Sequence, residues 1–225
     1  LQQPGATERP DVKKTIAIFL HHPFCSIESV NGVIQALSPG YKLRVFTKHK
    51  VPDGFFDDID MVVFPGGHGD AGSFDHLLRA NIHEVKKFLK RGGKYLGICM
   101  GAYWAGRNYF DLLDGLEPVQ YIRAEGADVK RSYPTTAAVT WGERNERMYF
   151  YDGPTFVGSG RCQQHARYST GSPMAIIQGR VGLIGCHPES KQSWFEQFKY
   201  IKKHWHGGSH HELLLKFTKR LMRAK

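Results

Sequence analysis

The chain has 225 residues, of which 41% are hydrophobic and 12% aromatic, and its formal net charge is +10. A chain of this length buries a substantial apolar core, and the composition is ordinary for a soluble globular protein. No apolar run approaches the roughly 18–20 residues that cross a bilayer, which argues against helical membrane spans. The four cysteines form no Cys-x-x-Cys pair, which argues against a zinc ribbon or a disulfide-rich scaffold and leaves a single disulfide open.

The first 12 residues are polar and rich in turn formers, and we expect a flexible segment ahead of one domain at 13–225. Because the first residue is Leu1 rather than Met, we expect that something upstream was removed, either an export signal or a cloning boundary. Both a cytoplasmic and an exported location therefore stay open. The sequence does not indicate an oligomeric state.

The first 110 residues alternate between apolar β-type runs and helical stripes. Strands are predicted at 15–20, 41–47, 61–64 and 94–98, and helices at 26–37 and 73–90. Continuous apolar runs such as 15–20 suit strands that are buried on both faces of a parallel sheet. This alternation implies right-handed crossovers. The fold class expected is α/β, a flavodoxin-like three-layer sandwich with a mostly parallel central sheet.

Beyond Phe110 the pattern changes to shorter pieces, which we expect to form antiparallel strands that extend or flank the core sheet. These pieces lie at 119–123, 135–141, 147–151, 155–157, 165–169, 174–178 and 182–185. Two helices are predicted at about 191–204 and 210–223. Basic residues concentrate there, but apolar residues recur between them at helical spacing, which is typical of solvated helix faces. We therefore expect no nucleic-acid partner despite the basic charge.

The segment Gly97-Ile98-Cys99-Met100-Gly101 places a cysteine between a predicted strand and a run of small residues. A nucleophile on such a turn, called an elbow, has strained backbone dihedrals, and a glycine two residues to either side lets neighbouring backbones come close. The thiol would lie at the carboxyl edge of the sheet and face the amino end of the next helix, which favours a thiolate. Taken alone, the motif is also compatible with a buried structural cysteine.

His187-Pro188-Glu189 follows another apolar strand and so falls at the same edge of the sheet as Cys99. A thiolate that attacks an acyl group needs a proton shuttle, normally a histidine held by a third group. Residues two apart in an extended segment point the same way, and Pro188 biases His187 toward extended backbone. The prediction is a catalytic triad of Cys99, His187 and Glu189.

An oxyanion hole needs two N–H donors aimed at the charge of the tetrahedral intermediate. Pro65-Gly66-Gly67 ends the third predicted strand, and Gly66 or Gly67 is expected to supply one donor. The amide of Met100 is expected to supply the other. Both positions lie at carboxyl ends of neighbouring strands, where such sheets bind ligands. Taken alone, the glycine pair is equally typical of a strand exit turn.

Three segments carry a wider resemblance: Phe64-Pro65-Gly66-Gly67, the run from Arg91 to Tyr103, and Gly185-Cys186-His187-Pro188-Glu189. They resemble the class I glutamine amidotransferase superfamily, whose members place a Cys on an elbow, a His and a Glu at a later strand end, and a Pro-Gly-Gly loop at the oxyanion site. Within it they look like the amidotransferase-like domain found at the amino end of eukaryotic biotin-protein ligases and as free-standing bacterial proteins. The resemblance runs from about Lys14 to Ser190.

Tyr103 departs from the family pattern. Glutamine-hydrolysing members usually carry a glutamine four residues after the cysteine, and a bulky phenol there argues against glutamine as the substrate. We therefore expect a cysteine-dependent amidase or acyl hydrolase that acts on another small molecule. Two alternatives stay open: a non-catalytic module that binds a small ligand or regulates, and the chaperone, glyoxalase or protease relatives, which need a carboxylate near the first strand, such as Glu28.

Several further side chains fall near the expected site or invite a metal interpretation. His21, His22, Glu28 and Tyr103 are candidates for lining the pocket. His204, His206, His210 and His211 are spaced closely enough to suggest zinc, but only Glu212 stands beside them as a companion ligand. A solvated helix connection is favoured there, and neither a metal nor a cofactor is predicted.

Overall fold

The computed structural model describes residues 13–21, 26–51, 54–67 and 71–225. These residues form the strands β1 Thr15–Phe19, β2 Lys42–Phe46, β3 Met61–Phe64, β4 Lys94–Ile98, β5 Leu116–Gln120, β6 Thr135–Trp141, β7 Arg144–Phe150, β8 Pro154–Gly158, β9 Gln163–Tyr168, β10 Pro173–Gln178 and β11 Val181–Ile184. They also form the α-helices α1 Ile27–Leu37, α2 Phe74–Leu77, α3 Ile82–Lys90, α4 Met100–Tyr103, α5 Gln192–Glu196 and α6 Ser209–Arg223. Within these described ranges, no helix is both long enough and apolar enough to span a membrane.

Nine of the strands form one sheet in the order β2-β1-β3-β4-β11-β10-β9-β6-β7. The first five strands of that order pair in parallel. From β11 onward, each strand pairs antiparallel with the next. β5 and β8 form a separate antiparallel pair. The prediction of an α/β fold, in which antiparallel strands extend a parallel sheet, is confirmed.

Both faces of the parallel strands β1, β3, β4 and β11 are buried, as their apolar sequences predicted, whereas the edge strand β2 is largely exposed. In β1, Ile16 and Ile18 pack on one face while Ala17 and Phe19 pack on the other, and all four are fully buried. α1 and α6 cover the first face, and α2, α3 and α4 cover the second. Because the strands are parallel, the carboxyl ends of β3, β4 and β11 meet at one edge, where the predicted site residues follow them.

Two of the predicted helices are wrong in extent, whereas the strands predicted at 61–64, 94–98 and 135–141 agree with the structure. The helix predicted at 73–90 is interrupted because the backbone leaves helical dihedrals at Leu78, where φ is −135°. Asn81, a residue type that favours helix starts, then precedes α3. The helix predicted at 191–204 ends early, with α5. Hydrogen bonds between residues three apart, such as from Ile201 N to Phe198 O, continue the chain there as tight turns.

Candidate active site

Cys99 lies in the turn between β4 and α4, with φ at 50° and ψ at −101°. Positive φ is uncommon for a residue with a side chain and persists only where the surrounding structure enforces it. A Cβ on Gly97 would overlap the carbonyl oxygen of Gly101, and a Cβ on Gly101 would overlap that of Phe64. Both glycines of the motif are therefore required by packing. Since α4 is a single turn, the helix end contributes little to a thiolate, and the neighbouring histidine matters more.

His187 follows β11 and connects Cys99 to Glu189. Its Nδ1 lies 2.7 Å from Glu189 Oε1, and its ring lies close enough to Cys99 for the two side chains to interact electrostatically. The ring packs edge-on against Tyr149 and Trp194. Because Nδ1 is bonded to the carboxylate, Nε2 is the ring nitrogen left for the sulfur. The structure thus brings together the three residues of the predicted triad.

A fourth polar side chain, that of Ser29 on α1, contacts the triad carboxylate. Ser29 Oγ donates to Glu189 Oε1 at 2.7 Å and accepts from the Gly66 N–H at 3.0 Å. Glu189 is fully buried, and its Oε2 has no hydrogen-bond partner among the residues that the structure describes. One carboxylate oxygen therefore accepts from both His187 and Ser29. Ser29 was not predicted from the sequence as a site residue. Its spacing of four residues from Val33, which places it on the apolar face of the helix, could have indicated a buried hydroxyl.

The electrostatic surroundings of His187 favour its protonated form. Burial of the ring lowers its pKa, but the charges of Glu189 and Cys99 and the hydrogen bond to Glu189 raise it by more, so the net pKa lies above the ordinary histidine value. An imidazolium attracts a thiolate, which is the nucleophilic form of cysteine. Cys99 Sγ also donates a hydrogen bond to the carbonyl oxygen of Tyr151 at 3.5 Å. The site therefore places a proton donor, the imidazolium of His187, beside the sulfur of Cys99.

Gly66, one of the two alternatives predicted to supply an oxyanion donor, has its N–H engaged elsewhere in this structure. Its N–H is bonded to Ser29 Oγ, and a Cβ at this position would lie 2.6 Å from His187 Cε1. Gly66 therefore makes room for the imidazole. Gly67 and Met100, the other predicted oxyanion donors, line the cavity that contains Cys99. Met100 is the first residue of α4, where N–H groups have no partner within the helix.

A cavity of about 670 Å³ opens over Cys99, within the range of about 300–1,000 Å³ typical of small-molecule sites. Six aromatic side chains line it: Tyr103, Tyr109, Tyr149, Tyr151, Trp194 and Phe198. Its polar lining, besides Cys99, His187 and Ser29, includes Ser26, Glu28, Gln120, Asp152 and Gln197. The hydroxyl of Tyr103 donates to the carbonyl oxygen of Asp152 at 2.9 Å, which fixes this phenol in the cavity wall.

Not all of the residues predicted to line the pocket do so. Glu28 and Tyr103 line the cavity. His21 is not among the described lining residues. Burial, followed by the charge of Lys48, lowers the pKa of His21. His22 lies outside the described residues.

The histidines near the start of α6 do not form the solvated connection that was predicted. His206 Nε2 and His211 Nε2 donate to the carbonyl oxygen of Ser190, at 3.1 and 2.9 Å. The ring of His206 stacks on that of His210, whose Nε2 lies 2.9 Å from Glu146 Oε2. Within the described ranges, no group of three metal-binding side chains is placed to hold a metal ion. These rings instead hold the turn that follows the triad carboxylate.

Comparison with solved structures identifies the fold as that of the glutamine amidotransferases. A glutamine amidotransferase from Thermotoga maritima matches with a TM-score of 0.68 at 13% identity, over 94% of this chain and 99% of that chain. PurLQS from Thermotoga maritima matches with a TM-score of 0.65 at 16% identity, over 93% and 99%. A beta-galactosidase from the psychrophilic Marinomonas ef1 matches over 94% of this chain but 29% of that chain, with a TM-score of 0.53 at 12% identity. At these identities the likeness establishes the fold and not the activity.

The sequence comparison is narrower. Residues 23–115 match the family described as biotin-protein ligase, N terminal. The matched segment contains Gly66 and Cys99, whereas His187 and Glu189 lie beyond it. A comparison with curated proteins gives no match. The resemblance inferred from the sequence, to the class I glutamine amidotransferase superfamily and within it to the biotin-protein ligase N-terminal domain, is confirmed.

Proposed function

We propose that this protein is a cysteine-dependent amidase or acyl hydrolase of the class I glutamine amidotransferase-like type. The observation that supports this most strongly is the setting of Cys99. Its backbone has positive φ, and its side chain lies beside a buried His187 whose Nδ1 is 2.7 Å from Glu189 Oε1. A strained backbone and a fully buried carboxylate both cost free energy. Packing alone requires neither of them, whereas acyl-transfer chemistry uses both.

In the acylation step, the sulfur of Cys99 attacks the carbonyl carbon of the substrate, and a C–S bond forms. The carbonyl oxygen takes the electron pair and is stabilised by the N–H groups of Gly67 and Met100. When the intermediate collapses, His187 Nε2 gives its proton to the leaving amine or alkoxide. The C–N or C–O bond breaks, and a thioester remains on Cys99.

In the deacylation step, the neutral ring of His187 takes a proton from water, and the water oxygen attacks the thioester carbon. The C–S bond breaks, a carboxylic acid leaves, and the imidazolium and thiolate are restored. Glu189 remains ionised throughout and keeps the ring in the orientation that serves the sulfur. Ser29 acts through Glu189 as a positioning residue.

The substrate we propose is a small molecule other than glutamine. Tyr103 stands four residues after Cys99, and its hydroxyl is bonded to Asp152 O. The phenol therefore occupies the wall beside the sulfur, where the glutamine-hydrolysing relatives carry a glutamine. We expect no glutaminase activity from this arrangement.

We also propose that residues 13–225 form a single domain with a flavodoxin-like three-layer architecture. Support comes from the parallel part of the sheet, which runs β2-β1-β3-β4-β11. This is the order of a doubly wound sheet, in which ligands bind outside the carboxyl ends of the strands. Cys99 and His187 follow two neighbouring strands of that sheet.

Reaction with p-nitrophenyl acetate tests the proposed function. We expect a burst of p-nitrophenol with acetylation of Cys99, followed by slower steady turnover. Cys99→Ala should abolish the burst. Cys162→Ala should keep it, because Cys162 is a free thiol that does not line the cavity. If Cys99 is acetylated no faster than Cys162, the proposal fails, and a non-catalytic ligand-binding or regulatory module on the same fold is favoured.

A further inference from the structure

The walls of the cavity over Cys99 are mainly aromatic. Its six aromatic side chains include the rings of Tyr149 and Trp194, which pack against each other with centroids 5.0 Å apart. Tyr151 is 47% exposed, so its ring extends from the cavity toward solvent. The faces of such rings attract cations as well as apolar groups. The wall is therefore suited to a ligand that is apolar or positively charged.

The charged side chains of the cavity favour a positively charged ligand over an apolar one. The chain carries 31 Lys and Arg residues, yet none of them is among the described residues that line the cavity. Outside the triad, the charged lining residues are the carboxylates Glu28 and Asp152. The cavity thus has the opposite sign to the protein as a whole, which indicates a positively charged ligand.

Asp152 is held in place by neutral groups. Its Oδ2 accepts from Gln120 Nε2 at 2.9 Å and from Ser132 Oγ at 2.7 Å, and its carbonyl oxygen accepts from Tyr103. Its φ is 52°, which shows that the turn holds it in a conformation most residues avoid. These donors orient the carboxylate without cancelling its charge. Asp152 also directly follows Tyr151, whose carbonyl oxygen contacts Cys99 Sγ.

We propose that the molecule attacked by Cys99 is an amide or ester that carries an ammonium group, which the aromatic wall and the carboxylate of Asp152 bind. This substrate class rests on the proposed function. The carboxylate and the reacting sulfur line the same cavity, so one molecule is expected to reach both. Apart from the His187 imidazolium beside the sulfur, an anionic tail finds no Lys or Arg side chain in the described part of the cavity.

Three chloroacetamide probes of similar size test the substrate class: one with a trimethylammonioethyl tail, one with a neutral 3,3-dimethylbutyl tail and one with a carboxyethyl tail. The second-order rate of Cys99 alkylation is measured for each by peptide mass spectrometry and divided by the rate of the same probe with free cysteine. We expect the trimethylammonium probe to react about tenfold faster than the neutral one. The carboxylate probe should be the slowest. A neutral probe that reacts as fast as the cationic one overturns the proposal.

Asp152→Asn and Glu143→Gln form a matched pair of variants, since each removes one negative charge. Asn tolerates positive φ and can accept the bonds from Gln120 and Ser132, so the turn is expected to be kept. Glu143 is exposed and does not line the cavity. We expect the preference for the cationic probe to fall severalfold in Asp152→Asn and to stay at the wild-type value in Glu143→Gln. An unchanged preference in Asp152→Asn overturns the role of this carboxylate.

The test of the ligand class can fail or succeed independently of the proposed hydrolase activity. Alkylation needs only the Cys99 thiol and the cavity, and no hydrolysis takes place. A protein that prefers the cationic probe without forming an acyl-enzyme refutes the hydrolase and keeps the ligand class. If no probe alkylates Cys99, ligand-observed NMR on Cys99→Ala compares binding of the three probes. Equal binding, or no binding, then overturns the proposal.

Discussion

Ser29 Oγ lies 2.7 Å from Glu189 Oε1, although 160 residues separate them in the chain. The same helix supplies a second contact to this turn, because a Cβ on Gly32 would overlap the carbonyl oxygen of Glu189. Ser29 of α1 thus binds the carboxylate of Glu189, while Gly32 of the same helix lets the backbone of Glu189 approach closely. The orientation of Glu189 is therefore set by α1 as well as by His187.

Ser29→Ala is expected to lower the free energy of unfolding by about 1–3 kcal/mol, because it leaves the Gly66 N–H without its acceptor and a buried carboxylate with one donor fewer. The alkylation of Cys99 should also slow, since the carboxylate is less firmly held. Urea denaturation measures the first effect. Ser38→Ala, which removes an exposed hydroxyl just after the same helix, should change stability by less than about 0.5 kcal/mol. Equal losses in the two variants would contradict the role of Ser29.

Gly66→Ala is expected to displace the imidazole of His187, because the new Cβ would lie 2.6 Å from Cε1. Overpacking of this kind costs about 1–3 kcal/mol, and the loss of p-nitrophenyl acetate turnover should exceed what the stability change explains. Gly40→Ala is the matched control, since its Cβ would meet the end of the Leu215 side chain at 3.1 Å. Turnover of Gly66→Ala at the level of Gly40→Ala would show that His187 tolerates the shift.

The pKa of His206 predicts sensitivity to acid. Burial, followed by the charge of His210, lowers this pKa from 6.5 to about 3. As the pH falls below about 6.5, the unfolded chain takes up a proton here that the folded protein does not, so the free energy of unfolding decreases. The loss continues until the pH reaches the folded-state pKa.

His206→Gln should therefore lose less stability than the wild type when the pH is lowered from about 7 to about 5, even if it is less stable at neutral pH. Urea unfolding at both pH values measures the difference. His76→Gln, at an exposed histidine, should keep the pH dependence of the wild type. An identical slope in His206→Gln and the wild type would mean that this ring titrates normally in the folded protein.

The parts of the site that could be predicted from the sequence are those specified by near neighbours. Gly97 and Gly101 flank Cys99 within two residues, and their packing role follows from the sharp turn. His187 and Glu189 are also two residues apart, at the end of an apolar strand. The parallel sheet then brings the two segments to one edge, which alternation of strands and helices already indicated.

The parts that could not be predicted depend on contacts between distant elements. The Pro-Gly-Gly pattern suggested that Gly66 supplies an oxyanion donor. The hydrogen bond from its N–H to Ser29 could not be predicted, because Ser29 lies on α1, 37 residues earlier in the chain. The buried histidines beside Ser190 looked exposed because their partners, such as Glu146, lie far away in the chain. The interruption of the helix at Leu78 could not be predicted either, because apolar residues continue at helical spacing on both sides of it.

Activation of Cys99 by His187 and Glu189 is tested most sharply by the rate of Cys99 alkylation by iodoacetamide at neutral pH. The rate is resolved by peptide mass spectrometry in the wild type, His187→Ala and Glu189→Gln. Cys162, whose pKa is raised by burial, serves as the internal reference for folding. We predict that alkylation of Cys99 falls at least about tenfold in both variants while that of Cys162 is unchanged. Equal alkylation rates of Cys99 in all three proteins would show that His187 and Glu189 do not activate this cysteine.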